Sequence, residues 1–220
     1  AARLTRGQWH MPLGPVRGLT RWVEAAGVFI VVRDLGTPRI DGMSQRRGAV
    51  SVILLNSTAP VDRRRLTLAH ELGHLVLHGE YAEPDMETQA NQFAAELLMP
   101  EAAIKPFLHD LTLARLEALK LEWGVSMHAL IQRAVALRTM DRPRQTALYK
   151  QLSSRGQRVR EPGSDRLPDE PPQMIAGLAT NLRSQGVSEA RIGGLIGIAD
   201  FLHPASLFPP PPGPVLSRVK

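Results

Sequence analysis

The segment His70-Glu71-Leu72-Gly73-His74 combines residue types and a spacing that suit metal-assisted hydrolysis. Positions four apart project from one face of a helix, so His70 and His74 can present two imidazole nitrogens to one metal ion. Glu71 then lies beside the metal, where its carboxylate can accept a proton from metal-bound water. The alternative is a buried helix with two histidines and no metal. Apolar residues on both sides of the segment, and Gly79 as a C-terminal stop, favour a helix, and we interpret it as metal-binding.

A third metal ligand is expected from the next helical stretch, residues 87–99. His78 extends the histidine series, but each step of four residues rises about 6 Å, so three histidines on one straight helix cannot converge on one ion. We expect His78 to cap the helix or to contact a ligand. Glu87 and Glu96 face opposite sides, and we favour Glu87 because Asn91, one turn later, can orient a ligand by hydrogen bonding. The alternative for Glu87 is a charge stabilised by the helix dipole.

Composition limits the kind of protein. A chain of 220 residues with 43% hydrophobic residues can bury a core and fits one large domain, or a catalytic domain with a small appendage. The absence of cysteine excludes disulfides, a zinc–thiolate site and a cysteine nucleophile. We see no membrane-spanning run or secretory signal and expect a cytoplasmic location. The net charge of +6 allows contact with nucleic acid or with an acidic protein surface and does not choose between them.

Apolar runs and turn residues predict the elements that position the candidate site. Residues 1–18 predict an irregular lead-in, and 19–26 a short helix. Two β-branched runs, 28–32 and 49–55, predict strands, and 34–42 predicts a turn-rich connection. The two strands are expected to form a small sheet against which the histidine helix packs.

The second half of the chain predicts helices and then a linker. Helices are expected over residues 101–109, 112–123, 127–140, 174–185 and 188–202. The second and third of these are joined by a turn containing Gly124, as in a helix-turn-helix unit or a plain helical hairpin. Residues 133–160 hold eight arginines and lysines against the single acid Asp141 and predict a basic surface. Prolines in 161–172 predict a linker.

Three stretches resemble the ImmA/IrrE family of metallopeptidases. RLTLAHELGHLVLH at 65–78 resembles the signature helix of that family, and the resemblance continues through ETQANQFAAELLMP at 87–100 and WGVSMHALIQRA at 123–134. It covers about residues 48–160. The resemblance implies that His70, His74 and Glu87 bind zinc and that Glu71 is the general base. Position 91 is Asn where the family often has an acidic residue.

The resemblance also implies a biological setting. Members of the family are cytoplasmic bacterial or phage proteins, and several cut a helix-turn-helix repressor and so release a stress, DNA-damage or mobile-element response. Many carry a DNA-binding domain upstream of the peptidase.

We therefore expect an α+β fold, with a small mixed β-sheet packed on a helical zincin core and a mostly helical C-terminal extension. The expected segments are a zincin-like metallopeptidase core at 1–110, a helical, helix-turn-helix-like subdomain at 111–165, a small helical tail at 166–205 and a proline-rich, disordered end at 206–220.

The expected function is that of a zinc endopeptidase of the gluzincin type, with Zn²⁺ or Mn²⁺ as cofactor and a helix-turn-helix repressor as protein substrate. A hydrogen-bond donor that stabilises the developing oxyanion is also needed. The candidates are Tyr149, Arg133 and His128, and we name Tyr149 as the catalytic candidate. The alternative is a non-proteolytic regulatory protein that binds a repressor or DNA through its basic helical region.

Overall fold

The computed structural model describes residues 1–78, 84–157, 160–188 and 191–192. The chain divides into two compact units, residues 1–171 and 172–220. The described helices of the first unit are α1 (Ala2–Gln8), α2 (Leu19–Ala25), α3 (Val61–Leu77), α4 (Met86–Leu98), α5 (Glu101–Ile104), α6 (Leu113–Trp123), α7 (Met127–Ala136) and α8 (Arg142–Ser154). Together with a small mixed sheet they confirm the predicted α+β class.

The sheet has a strand that the sequence analysis missed. Its strands are β1 (Val28–Arg33), β2 (Gly42–Arg47) and β3 (Val50–Asn56), in the order β1-β3-β2. Strand β3 runs parallel to β1 and antiparallel to β2. Strand β2 is polar and shows no apolar alternation. It forms because a two-residue turn joins it to β3, and Gly48 in that turn has a φ of +59°, which favours glycine.

The lead-in predicted to be irregular contains helix α1. No side chain caps the start of this helix, so the local sequence carries little helix signal. Tertiary contacts hold it instead, because the buried Arg6 side chain donates hydrogen bonds to the Leu97 carbonyl of α4 and to the Gly14 carbonyl. Helix α1 is thereby fixed against α4, the helix that follows the histidine helix.

The hydrophobic core lies between α3, α4 and the sheet. Leu68 and Leu72 of α3, Phe93 and Leu97 of α4 and Ile53 of β3 are all buried in it. Their spacing on α3 and α4 places one face of each helix inside. His70 and His74 lie outside this fully buried set, with side chains 17% and 18% exposed.

Segment 161–170, predicted as part of a linker, belongs to the first unit and is packed against its helices. The fully buried Lys120 ammonium donates hydrogen bonds of 2.8 Å each to Asp62 of α3, Glu161 and Ser164. Glu161 also accepts the backbone N–H of Met127 at 2.6 Å, at the start of α7. The prolines therefore mark an extended but anchored segment, and the linker prediction is wrong for these residues.

Other element boundaries differ in detail. The helix predicted at 101–109 is the short α5 followed by a 3₁₀ turn, Lys105–Phe107, and the one predicted at 127–140 ends at Ala136. Helix α8 was not predicted, although Asp141 caps it by accepting a 2.8 Å hydrogen bond from the Arg144 N–H.

The described part of the second unit contains helix α9 (Met174–Ser184), which matches the helix predicted at 174–185. The expected helix at 188–202 and the proline-rich end at 206–220 lie almost entirely outside the described residues. Over the parts of the chain that are described, none of the helices has the length and apolarity to cross a membrane.

Candidate metal centre

Two histidines of α3 and one glutamate of α4 converge on a single point. The Nε2 atoms of His70 and His74 lie 3.0 Å apart. The Glu87 carboxylate reaches both, with Oε2 at 3.4 Å from His70 Nε2 and Oε1 at 3.3 Å from His74 Nε2. Within the described ranges, this is the group of histidine and acidic side chains whose ligand atoms come close enough to share a metal ion.

The size of this triangle suits zinc. Bonds of about 2.0–2.1 Å from a tetrahedral Zn²⁺ place neighbouring ligand atoms about 3.3 Å apart, which matches the observed separations of 3.0–3.4 Å. The donor set also fits, because imidazole nitrogens and a carboxylate are the ligands that zinc takes in catalytic sites. The Glu87 side chain is 77% exposed, so the point of convergence is open to solvent.

Glu71 lies beside the triangle and is held by a residue of the missed strand. Its side chain is buried, and its Oε2 atom accepts a 2.7 Å hydrogen bond from the Ser44 hydroxyl of β2. Sequence reasoning missed Ser44 because it did not predict β2. The edge strand of the sheet thus holds the Glu71 carboxylate in one orientation.

The other ring nitrogens of the two histidines have their own partners. His70 Nδ1 lies 3.0 Å from Asn91 Oδ1, and His74 Nδ1 lies 3.0 Å from His78 Nδ1. The far side of the His78 ring contacts Gln89, with 3.3 Å between Nε2 and Oε1. Helix α4 thus supplies three of these groups. They are Glu87 in the triangle, Asn91 as the partner of His70, and Gln89 as the partner of His78, which in turn contacts His74.

These contacts assign one consistent set of protons. If Nε2 of His70 and His74 carries the lone pair toward a metal, each Nδ1 carries the proton and donates it outward. His78 Nδ1 then accepts from His74, and His78 Nε2–H donates to Gln89. Burial, together with the neighbouring His70, lowers the pKa of His74 and outweighs the opposing charges of Glu71 and Glu87. The lowered pKa favours the neutral imidazole that binds metal.

Gly73 explains why α4 can reach both histidines. A methyl group at this position would lie 3.2 Å from the Cα of Ala90 and 3.2 Å from a ring carbon of Phe93. A Cβ atom at position 73 would therefore push α4 or the Phe93 ring away by a few tenths of an ångström, so glycine permits the close approach of α3 and α4. This close approach lets the short side chains of Glu87 and Asn91 reach the ring nitrogens.

Glu96, the alternative to Glu87 as a third ligand, belongs to a different cluster of side chains. It pairs with Arg3 at 2.8 Å and with Arg133. Burial raises the pKa of Glu96, but the hydrogen bonds from these arginines outweigh burial and hold the pKa below its ordinary value. Arg133 also donates to the Met99 carbonyl at 3.0 Å. Both side chains are thus engaged in holding α7 against the end of α4.

Tyr149 and His128, the other oxyanion candidates, contact each other. Their rings stack with centroids 4.8 Å apart, and the Tyr149 hydroxyl lies 3.5 Å from His128 Nε2. Burial raises the pKa of Tyr149, although hydrogen bonds with Gln145 and Gln132 oppose it. Tyr149 thus contacts side chains of α7 and α8. The candidate metal centre is formed instead by His70 and His74 of α3, His78 directly after α3, and Glu87 and Asn91 of α4.

An α+β fold with an open triangle of two imidazoles and a carboxylate, and a buried carboxylate beside it, is typical of hydrolytic metal centres. Residues 23–135 match the model of the peptidase M78 family, described as the IrrE N-terminal-like domain. This match covers half of the chain. The chain belongs to this ImmA/IrrE family of metallopeptidases.

Two relatives carry the same name. The chain is 42% identical over 72 residues to the radiation response metalloprotease IrrE of Deinococcus radiodurans, which covers 26% of this chain and 22% of that protein. It is 40% identical over 84 residues to the radiation response metalloprotease IrrE of Deinococcus deserti, which covers 30% of each. The chain therefore spans less than a third of the length of these relatives.

Proposed function

We propose that this protein is a zinc-dependent endopeptidase of the HExxH, gluzincin-like type. In this proposal His70, His74 and Glu87 hold the ion and Glu71 is the general base. The observation that carries the proposal is the convergence of two Nε2 atoms and one carboxylate at 3.0–3.4 Å. Zinc is preferred over Mn²⁺ because imidazole nitrogens suit zinc and an all-oxygen set suits manganese better.

The chain's own residues account for the proton movements. When bound, the ion supplies the Lewis acidity that activates water and polarises a peptide carbonyl. Ser44 holds Oε2 of Glu71, so Oε1 is the atom that accepts the proton from the attacking water. Glu71 then returns this proton to the leaving amine, and the peptide bond breaks. Tyr149 as the donor that stabilises the oxyanion stays a prediction.

His78 and Gln89 are positioning residues in this scheme. His78 accepts from His74 Nδ1–H, and Gln89 fixes the His78 tautomer that can accept, so the pair aims His74 Nε2 at the ion. We expect His78→Phe, which keeps the ring and removes the acceptor, to weaken zinc affinity by about 10- to 100-fold. Competition with a chelating dye measures this affinity.

The same titration separates positioning from general damage to α4. Gln89→Leu is expected to weaken zinc binding, and Gln89→Glu, which keeps an oxygen acceptor for His78, to restore most of it. The matched control is Gln92→Leu, because Gln92 is exposed on the same helix. Equal zinc affinity of the wild type, His78→Phe and Gln89→Leu would show that neither His78 nor Gln89 positions His74 for zinc binding.

We propose further that the substrate is a helix-turn-helix repressor in the cytoplasm and that its cleavage releases a stress or mobile-element response. Support comes from the family, and from the names of the Deinococcus relatives, which refer to a radiation response. The basic net charge of +6 suits a partner with an acidic surface.

Mapping new protein termini tests this assignment of the substrate. The zinc-loaded protein is incubated with an extract of its host cells, and the same protein stripped of metal is the control. We expect new N-termini within a small number of proteins that carry a helix-turn-helix domain. New termini spread over unrelated proteins, or confined to proteins without such a domain, would contradict the assignment.

Nothing in the arrangement of α6 and α7 favours the alternative of direct DNA binding. Helix α7, the second helix of the predicted helix-turn-helix, buries most of its length. Its outward side chains His128 and Gln132 contact Tyr149 of α8. A recognition helix needs its outward side chains free to contact base edges in the DNA groove. We therefore propose the peptidase function alone.

A further inference from the structure

A cavity of about 420 Å³ opens directly beside the candidate metal centre. Helix α3 forms one wall with Leu66, His70 and Glu71, and the segment leading into β2 forms the other with Arg39 and Ile40. Because His70 and Glu71 line the cavity, a peptide that presents its scissile bond to them places a neighbouring side chain inside it.

The wall opposite α3 is fixed by paired groups. Arg63 of α3 clamps one oxygen of Asp41, with Nη2 at 2.7 Å and Nε at 2.8 Å. The Asp41 carbonyl accepts the Asn56 N–H at 2.8 Å, which ties the wall to the end of β3. The charges of Asp41 and Arg63 therefore balance each other, and neither is left to select a ligand.

Arg39 supplies the other cationic side chain of the lining, and the Glu71 carboxylate, held by Ser44, is its other charged group. The Arg39 backbone N–H donates to the Thr37 hydroxyl at 3.2 Å, while the Arg39 side chain is exposed at the cavity. Among the residues that the structure describes, no carboxylate pairs with the Arg39 guanidinium. Ile40, which is 40% exposed, and the half-buried Leu66 add apolar surface next to this charge.

We propose that this cavity is a specificity subsite for an acidic substrate residue, glutamate above all, that flanks the scissile bond. Its carboxylate pairs with Arg39, and its two methylene groups lie against Leu66 and Ile40. An aliphatic stem that ends in a negative charge matches this combination, and the chain's net charge of +6 favours acidic partners in the same sense. The inference deepens the proposed function and rests on it.

Peptide capture tests the subsite separately from cleavage. The zinc-loaded Glu71→Gln protein, which is expected to bind without cutting, is immobilised and offered pools of peptides. The pools are identical except that each position in turn carries Glu, Gln or Lys. We expect Glu to be captured about three- to fivefold better than Gln at one position, as for an exposed ion pair. The preference should shrink at about 0.5 M salt.

Substitutions at Arg39 test whether this side chain determines which charge the subsite prefers. Arg39→Gln should abolish the preference and Arg39→Glu should transfer it to Lys at the same position. The matched control is Arg155→Glu, an equal charge change at an exposed position outside the cavity lining, which should leave the preference for Glu intact. Equal capture of the three pools, or an unchanged preference after Arg39→Glu, overturns the subsite.

Wild-type cleavage of the same pools separates the two proposals. Cleavage without any preference for charge next to the cut bond overturns the subsite and leaves the peptidase standing. Capture that favours Glu and depends on Arg39, with no cleavage of any pool, supports the subsite and contradicts the proposed function.

Discussion

Glu87→Ala is expected to lose zinc while keeping its fold. Glu87 supplies the carboxylate that closes the triangle with His70 and His74. Removing a neighbour of a ligand already costs about 10- to 100-fold in metal affinity, so removing the ligand itself should cost more than about 100-fold. The side chain is 77% exposed, so its loss should change the free energy of unfolding of the metal-free protein by less than about 1 kcal/mol.

Chelator competition measures the affinity, and urea denaturation of the metal-free protein measures the stability. Glu122→Ala is the matched control, because Glu122 is also an exposed glutamate on a helix and has no place in the triangle. It should bind zinc as the wild type does. Zinc affinity of Glu87→Ala within about threefold of the Glu122→Ala value would show that the third ligand lies elsewhere.

Lys120→Met is expected to be strongly destabilised, even though methionine keeps most of the volume of lysine. The ammonium group is fully buried and lies 2.8 Å from both Asp62 and Glu161. Without it, two buried carboxylates face each other with no cation between them. Breaking a buried ion pair in this way costs about 3–5 kcal/mol of unfolding free energy, which urea denaturation of the zinc-loaded protein would measure.

A triple variant distinguishes lost charge balance from lost packing. Lys120→Met combined with Asp62→Asn and Glu161→Gln removes all three charges, so it should recover much of the stability lost in Lys120→Met alone. Lys150→Met, at an exposed position of α8, is the surface control and should be within about 0.5 kcal/mol of the wild type. A loss below about 1 kcal/mol in Lys120→Met would contradict a structural role for this cluster.

The helical part of the candidate centre could be predicted because it is encoded locally. A spacing of four residues fixes which side chains share a helix face, so His70 and His74 could be paired without knowing the rest of the fold. The opposition of Glu87 and Glu96 on one helix follows from the same geometry. The structure adds that Glu96 is held by Arg3 and Arg133.

The partners that come from distant segments could not be predicted in this way. Strand β2 has no apolar alternation, so neither the strand nor the contact of Ser44 with Glu71 has a local signature. Helix α1 is held by Arg6, which reaches a carbonyl of α4 far along the chain. Segment 161–170 reads as a linker from its prolines, whereas Glu161 anchors it through Lys120. Each depends on tertiary contacts that override local propensity.

Zinc content and peptide cleavage, measured in the wild type and in Glu71→Gln, test the proposed peptidase most directly. We expect about one zinc per chain in both proteins, because Glu71 lies beside the ligands and not among them. We expect cleavage by the wild type and a loss of at least about 100-fold in Glu71→Gln, since glutamine cannot accept the proton. Undiminished cleavage by zinc-loaded Glu71→Gln would show that Glu71 is not the general base.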